Sequence, residues 1–214
     1  GLGDVYKRQI QFNNNVQNTV AGTAVNFVGT GATPISLASG NNWTINNVTS
    51  GGVTFSGAIN STDGTARDFS LAGPGSYTYN TPILSATGAG LVRTVVNTTG
   101  SVTFNNSAAA NINSQGILIN QGSVILNAVN PFANGLATNN TLINIAGGEL
   151  KSTSSTPLTS ANALTSPLVV SNAYGVISGN QSIEFAGNAT STYSFQNSGG
   201  NRLLTNSLVG PASL

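Results

Sequence analysis

The feature that most constrains this chain is a short apolar-x-apolar triplet that recurs along its whole length, each followed within a few residues by Gly or Asn. The runs include Val25–Val28, Ile35–Leu37, Trp43–Ile45, Val53–Phe55, Phe69–Leu71, Tyr77–Tyr79 and Leu91–Val96. They continue through Val102–Phe104, Ile117–Ile119, Val124–Leu126, Leu142–Ile145, Leu168–Val170, Ile183–Phe185 and Tyr193–Phe195. Alternate residues of a strand point to opposite faces, so each triplet buries two side chains and turns the middle one outward. That middle residue is often hydroxylated, as at Thr44, Thr54, Thr78, Thr103 and Ser194. Amphipathic helices need ten or more residues free of breakers, and Gly, Pro or Asn interrupts almost every such window.

The triplets belong to a longer repeat. Gly100-Ser101-Val102-Thr103-Phe104 returns 22 residues later as Gly122-Ser123-Val124-Ile125-Leu126, and Gly51-Gly52-Val53-Thr54-Phe55 is a looser copy. A period of this length made of short strands and tight corners predicts an all-β fold, a right-handed parallel β-helix with about three short strands per coil. Roughly nine coils at ~4.8 Å each would make a rod about 40 Å long. Abundant Gly and Asn fit corners that call for left-handed backbone. A β-sandwich is the architectural alternative, since it too is built of many short strands. A single solenoid domain is expected over 10–214, with a loop excursion near 151–167 where Pro157, Pro167 and a Ser/Thr cluster break the pattern.

Composition narrows function mainly by exclusion. Only 11 of 214 residues are charged (6 Lys+Arg, 5 Asp+Glu), and His, Cys and Met are absent. Disulfides, zinc centres, cysteine nucleophiles and Ser-His-Asp relays are thereby excluded. A net charge of +1 gives no footprint for nucleic acid or anionic lipid. Asn, Ser, Thr and Gly number 30, 25, 25 and 26, so solubility rests on amides and hydroxyls. With 39% apolar residues the chain has enough apolar surface to fold, unlike highly charged disordered segments. Residues 1–9, Gly-Leu-Gly-Asp-Val-Tyr-Lys-Arg-Gln, differ from everything after them and read as a non-native or disordered leader.

Some stretches resemble a known repeat. Leu142-Ile143-Asn144-Ile145-Ala146-Gly147-Gly148-Glu149-Leu150 and Gln115-Gly116-Ile117-Leu118-Ile119-Asn120-Gln121-Gly122-Ser123-Val124-Ile125-Leu126 carry a strand, a Gly-containing turn and a second strand ending in Leu. Pro167-Leu168-Val169-Val170 and Ser178-Gly179-Asn180-Gln181-Ser182-Ile183-Glu184-Phe185 are similar to the downstream half of the same unit. The pattern over 95–205, and more loosely over 10–94, resembles the autotransporter-associated β-strand repeat of Gram-negative passenger regions. The resemblance implies a non-enzymatic stalk or adhesin segment of a larger extracellular, cell-surface protein, anchored by a separate translocator barrel. It implies surface glycans or other cells as partners, and no cofactor. A solenoid cut from a longer one exposes strand edges at both ends, so end-to-end self-association is expected as well.

Some β-helices degrade polysaccharides, a chemistry that usually needs two carboxylates flanking one bond. Asp63, Arg67 and Asp68 lie together in Ser61-Thr62-Asp63-Gly64-Thr65-Ala66-Arg67-Asp68 and are the only candidate binding residues. Their functional reading is a loop with two carboxylates and a cation; the structural one is an Asp-Gly corner with solvated neighbours. No metal ligation is expected, since calcium needs six to eight oxygens. Glu149 and Glu184, 35 residues apart, could stand one or two coils apart on a common face, but they read better as outward solubilising charges. Eight Asn-x-Ser/Thr sequons are about the number that composition alone produces. Tyr77, Tyr79 and Tyr193 could stack on sugar rings, although an interior place is commoner, and Trp43 reads as core. Outward threonines would suit ice only in regular ranks on one flat face, and Thr190-Ser191-Thr192 is not repeated at the coil period.

Overall fold

Alternation of buried and half-exposed residues dominates the structure, a computed structural model. It describes residues 11–12, 16–18, 24–28, 35–37, 42–57, 59–61, 67–80, 92–105, 116–128, 142–156, 158, 164, 168–171, 174–185, 194–195 and 203–208. The leader at 1–9, Asp63 and Tyr193 therefore lie outside the described residues.

The strands run in chain order as follows. The first rungs hold β1 (Gln11–Phe12), β2 (Val16–Asn18), β3 (Val25–Phe27), β4 (Ile35–Leu37), β5 (Trp43–Asn47), β6 (Val53–Phe55) and β7 (Ile59–Ser61). The middle rungs hold β8 (Arg67–Gly73), β9 (Tyr77–Tyr79), β10 (Val92–Thr98), β11 (Ser101–Phe104), β12 (Ile117–Ile119) and β13 (Ser123–Leu126). The last hold β14 (Ile143–Ile145), β15 (Glu149–Ser152), β16 (Leu168–Val170), β17 (Tyr174–Gly179), β18 (Ser194–Phe195) and β19 (Leu203–Leu208).

Three parallel sheets result. Sheet A stacks β1-β4-β7, sheet B stacks β2-β5-β8-β10-β12-β14-β16-β18, and sheet C stacks β3-β6-β9-β11-β13-β15-β17-β19. Each strand pairs with the equivalent strand one rung away, so the chain is a parallel β-solenoid with no helix among the described residues. Two face-to-face antiparallel layers, the sandwich alternative, are not what these residues form.

One detail differs from the expectation. The 22-residue repeat is the shortest rung rather than the typical one: Ser101 pairs with Ser123, whereas Tyr174 pairs with Leu203, 29 residues on. Stacking fixes the strands, while the link from sheet C back to sheet B varies in length, so eight rungs stand among the described residues where a constant 22-residue period implies nine. The excursion expected near 151–167 falls in large part outside the described residues. Lys151 and Ser152 belong to β15, while Leu158 and Leu164 are buried and bridge in parallel to Ile183 and Phe185 of the next rung. These bridges form the third side of late rungs, the place sheet A occupies in early ones.

The core consists of stacked columns. Phe69 and Ile117 bury in sheet B, as do Ile45, Leu71, Val96, Ile119 and Ile145. In sheet C one column reads Phe27, Phe55, Tyr79, Phe104, Leu126, Ser152 and Gly179 by register. Its first four rings lie face to face, with centroids 5.6, 4.7 and 4.9 Å apart. Side-chain volume then falls from rung to rung, and Gly179 abuts the backbone of Ser152 with φ +121. A coil cannot bury its inner face alone, so each rung draws stability from the two beside it.

Tyr77 and Tyr79 are both buried core residues, not exposed platforms, and Trp43 is core as expected. The Tyr77 hydroxyl accepts the Asn47 N–H at 2.9 Å and shares its proton between the carbonyls of Ile45 (2.7 Å) and Ala72 (2.5 Å). The buried Tyr79 hydroxyl faces Thr94 without a hydrogen bond of normal geometry. Tyr77→Phe is therefore expected to cost about 2 kcal/mol by orphaning a buried N–H, and Tyr79→Phe close to nothing. Urea denaturation of both variants checks the contrast.

Burial also pushes the Tyr77 phenol up to about 12, against the opposing bonds from Asn47 and Ala72, and holds Tyr79 well above the ordinary 10.0. In the unfolded chain both would ionise near 10. Between pH 10 and 12 the unfolded state loses protons that the folded state keeps, so this stability is full below pH 10 and falls as pH rises. Melting followed over that window is expected to show the loss, and the Tyr77→Phe, Tyr79→Phe double variant to show less of it.

Candidate functional site

Arg67 and Asp68 do not lie in a loop: they open β8, an interior strand of sheet B. Arg67 pairs in register with Val92, and Asp68 with Arg93 of the following rung. Side chains of directly paired residues in neighbouring parallel strands project side by side, which delivers the Arg93 guanidinium to the carboxylate. The fork is bidentate, Nε to Oδ1 and Nη2 to Oδ2 at 2.8 Å each. The Asp68 N–H donates to Asn42 Oδ1 at 3.0 Å. Hydrogen bonding to the Asp68 carboxylate, against the opposing effect of burial, sets the Arg93 pKa above its ordinary value.

Arg93 was missed by sequence reading because it lies 25 residues away, one rung on. Only knowledge of the register would have found it. Both carboxylate oxygens of Asp68 are engaged by the guanidinium, so the group ties one rung to the next. Both partners are part-exposed, at 40% and 28%. Exposed pairs contribute little, so Asp68→Ala is expected to cost under about 1 kcal/mol in urea denaturation. Hydrolysis of a polysaccharide that the unaltered chain cleaved, lost in this variant, would return the pair to the chemistry.

Glu149 and Glu184 occupy different sides of the rod. Glu149 opens β15 in sheet C, where its two oxygens accept the hydroxyls of Ser123 from the rung before and Ser178 from the rung after. Glu184 lies between the third-side bridges of Ile183 and Phe185, exposed. They do not share a face, and a flanking carboxylate pair for glycoside hydrolysis is not assembled from them. Among the described residues, no group of three or more His, Cys, Asp or Glu could hold a metal ion.

The most ordered polar feature is the outer surface of sheet C. At the exit of successive strands, Asn127 Nδ2 donates to Asn105 Oδ1 at 2.9 Å and Asn105 Nδ2 to Asn80 Oδ1 at 3.0 Å. Thr153 Oγ1 extends the file by donating to Asn127 Oδ1 at 3.1 Å. Beside it, Thr54, Thr78 and Thr103 stand in register on three consecutive rungs, followed by Ile125 and Lys151. A third file holds Ser76, Ser101 and Ser123, the first two 3.3 Å apart through their hydroxyls. The local sequence explains the grid, since Ser76-Tyr-Thr78-Tyr-Asn80 and Ser101-Val-Thr103-Phe-Asn105 alternate polar residues outward with core residues inward.

The fold and this surface define the class as a parallel β-solenoid whose described residues give sheet C a largely uncharged, polar outer face. No family model matches the chain, and no curated protein or solved structure matches it either.

Proposed function

We propose that the chain is a non-enzymatic stalk segment of an extracellular, autotransporter-type surface protein. The observation that carries this is the unbroken stacking of eight rungs in sheets B and C. A rod of this kind lengthens by ~4.8 Å per added rung without redesign of its core, because each rung meets only its neighbours. That is the property a spacer needs to hold a distal module away from a cell. The resemblance of 95–205 to passenger repeats supports the same reading, as does a chain free of cysteine that depends on amides and hydroxyls for solubility. Membrane attachment would come from a separate translocator.

The adjoining coding sequence tests it. A signal peptide upstream and a barrel of alternating strands of about 9–11 residues downstream are the expected finding. Expressed between them, the rod should be cut by protease added to intact cells. Flanking domains built for cytoplasmic chemistry, with no export signal in frame, would overturn the stalk.

A further inference from the structure

We propose that the outer face of sheet C, from β6 to β13, binds an extended neutral polysaccharide laid along the rod axis. This stands apart from the stalk reading and does not need it. The face is a grid: files of Ser, Thr and Asn run from rung to rung at ~4.8 Å, and alternate residues within a strand lie ~6.6 Å apart. Asn80, Asn105 and Asn127 are exposed, and Thr54, Thr78 and Thr103 half-exposed.

The chemistry of the Asn file names the partner class. Each primary amide has two N–H donors and two acceptor lone pairs. The ladder uses one of each on Asn105, which fixes the amide plane and leaves the second N–H and the second lone pair outside the ladder. A donor and an acceptor held on one rigid group match a vicinal diol, in which one hydroxyl accepts and its neighbour donates. The adjacent Thr and Ser hydroxyls can do either, so the rungs of β9 and β11 each offer the full Ser-Thr-Asn set, and those of β6 and β13 offer part of it. An equatorially linked hexose ribbon advances by close to one rung per sugar and would meet that set repeatedly.

Charge and apolarity remove the rival partners. No charged residue stands in these files before Glu149 and Lys151 of the next rung, so nothing here meets phosphate or a uronic acid. An interface with protein would need an apolar centre, and Ile125 is a single apolar side chain in these files. Sheet B is unlike this face: its matching outward file runs Ser70, Val95, Leu118, Asn144 and Val169, with Val95 and Val169 buried. With Tyr77 and Tyr79 turned inward, affinity would rest on hydrogen bonds repeated along the polymer.

Affinity electrophoresis of the full chain tests the proposal. Gels containing glucomannan, a neutral β-1,4-linked ribbon, are compared with gels containing amylose, which coils, and polygalacturonate, which is charged. Retardation is expected in glucomannan alone. Thr103→Lys obstructs the grid at a file that already accommodates Lys151, and Asn105→Ala removes an exposed amide. Each should weaken retardation about tenfold with an unchanged melting temperature. If Thr103→Lys does not fold, Asn105→Ala carries the test. No retardation of the unaltered chain, equal retardation in amylose, or full retention by a folded variant overturns the proposal. So does thermal hysteresis that both variants abolish without any glucomannan binding, which would assign the face to ice.

Discussion

Phe55→Ala is expected to lower the melting temperature by roughly 10–15 °C, corresponding to about 4–5 kcal/mol at a few degrees per kcal/mol. Phe55 is fully buried and touches three other rings: Phe27 at 5.6 Å, Tyr79 at 4.7 Å and Phe69, edge-on, at 5.8 Å. Truncation loses the transfer energy of the ring, leaves a cavity, and removes stacking worth about 0.5–1.5 kcal/mol per pair. Collapse cannot fill the space, because the rungs on either side are held by the ladders from β3 to β6 and from β6 to β9. Phe27→Ala, partly buried at the end of the ring stack, should cost about half as much. Val28→Ala, at a side chain 51% exposed, should cost almost nothing. Calorimetry of the three variants checks the order, and equal shifts for Phe55 and Val28 would contradict a stacked interior.

Gly116→Ala should be comparably severe, at about 4 kcal/mol, although it adds a single methyl group. Gly116 has φ +83, and a Cβ there would collide with the backbone oxygen and nitrogen of Leu142 on the next rung. Those are the atoms of the rung contact itself: the Ile117 N–H donates to Leu142 O at 2.8 Å, and the Thr94 N–H to Gly116 O at 3.1 Å. Neither neighbour is the tip of a flexible side chain, so relief requires the rungs to separate. Hydrogen exchange is expected to report the damage locally, with protection lost in β10, β12 and β14 before the rest. Gly52 is the control, since nothing lies within 4 Å of its added Cβ. Gly52→Ala should be neutral or stabilising by about 0.5 kcal/mol through reduced freedom of the unfolded chain.

Both predictions concern residues whose importance is unequally visible in the sequence. Val53-Thr54-Phe55 shows its alternation to any reader, so the inward place of Phe55 follows from the triplet. Gly116 is one of 26 glycines, and nothing in its neighbours marks it as the one pressed against the next rung. Strands rich in polar residues were equally hidden: β2 (Val-Gln-Asn) and β7 (Ile-Asn-Ser) each carry one apolar position, and stacking on β5 and β4 makes them strands. The Asp68–Arg93 fork and the Asn80–Asn105–Asn127 ladder belong to the same group.

By itself, the sequence determined the all-β class, the inward and outward alternation and the coiling of the chain, because a two-residue side-chain period and frequent Gly and Asn corners are local properties. Only the tertiary structure decided the number of rungs, the partner of each polar side chain and the polar face of sheet C. Those depend on which residue stands beside which one rung away, a separation that swings between 22 and 29 residues with the length of the links. Register is set by the packing of whole columns, and no short stretch of chain carries it.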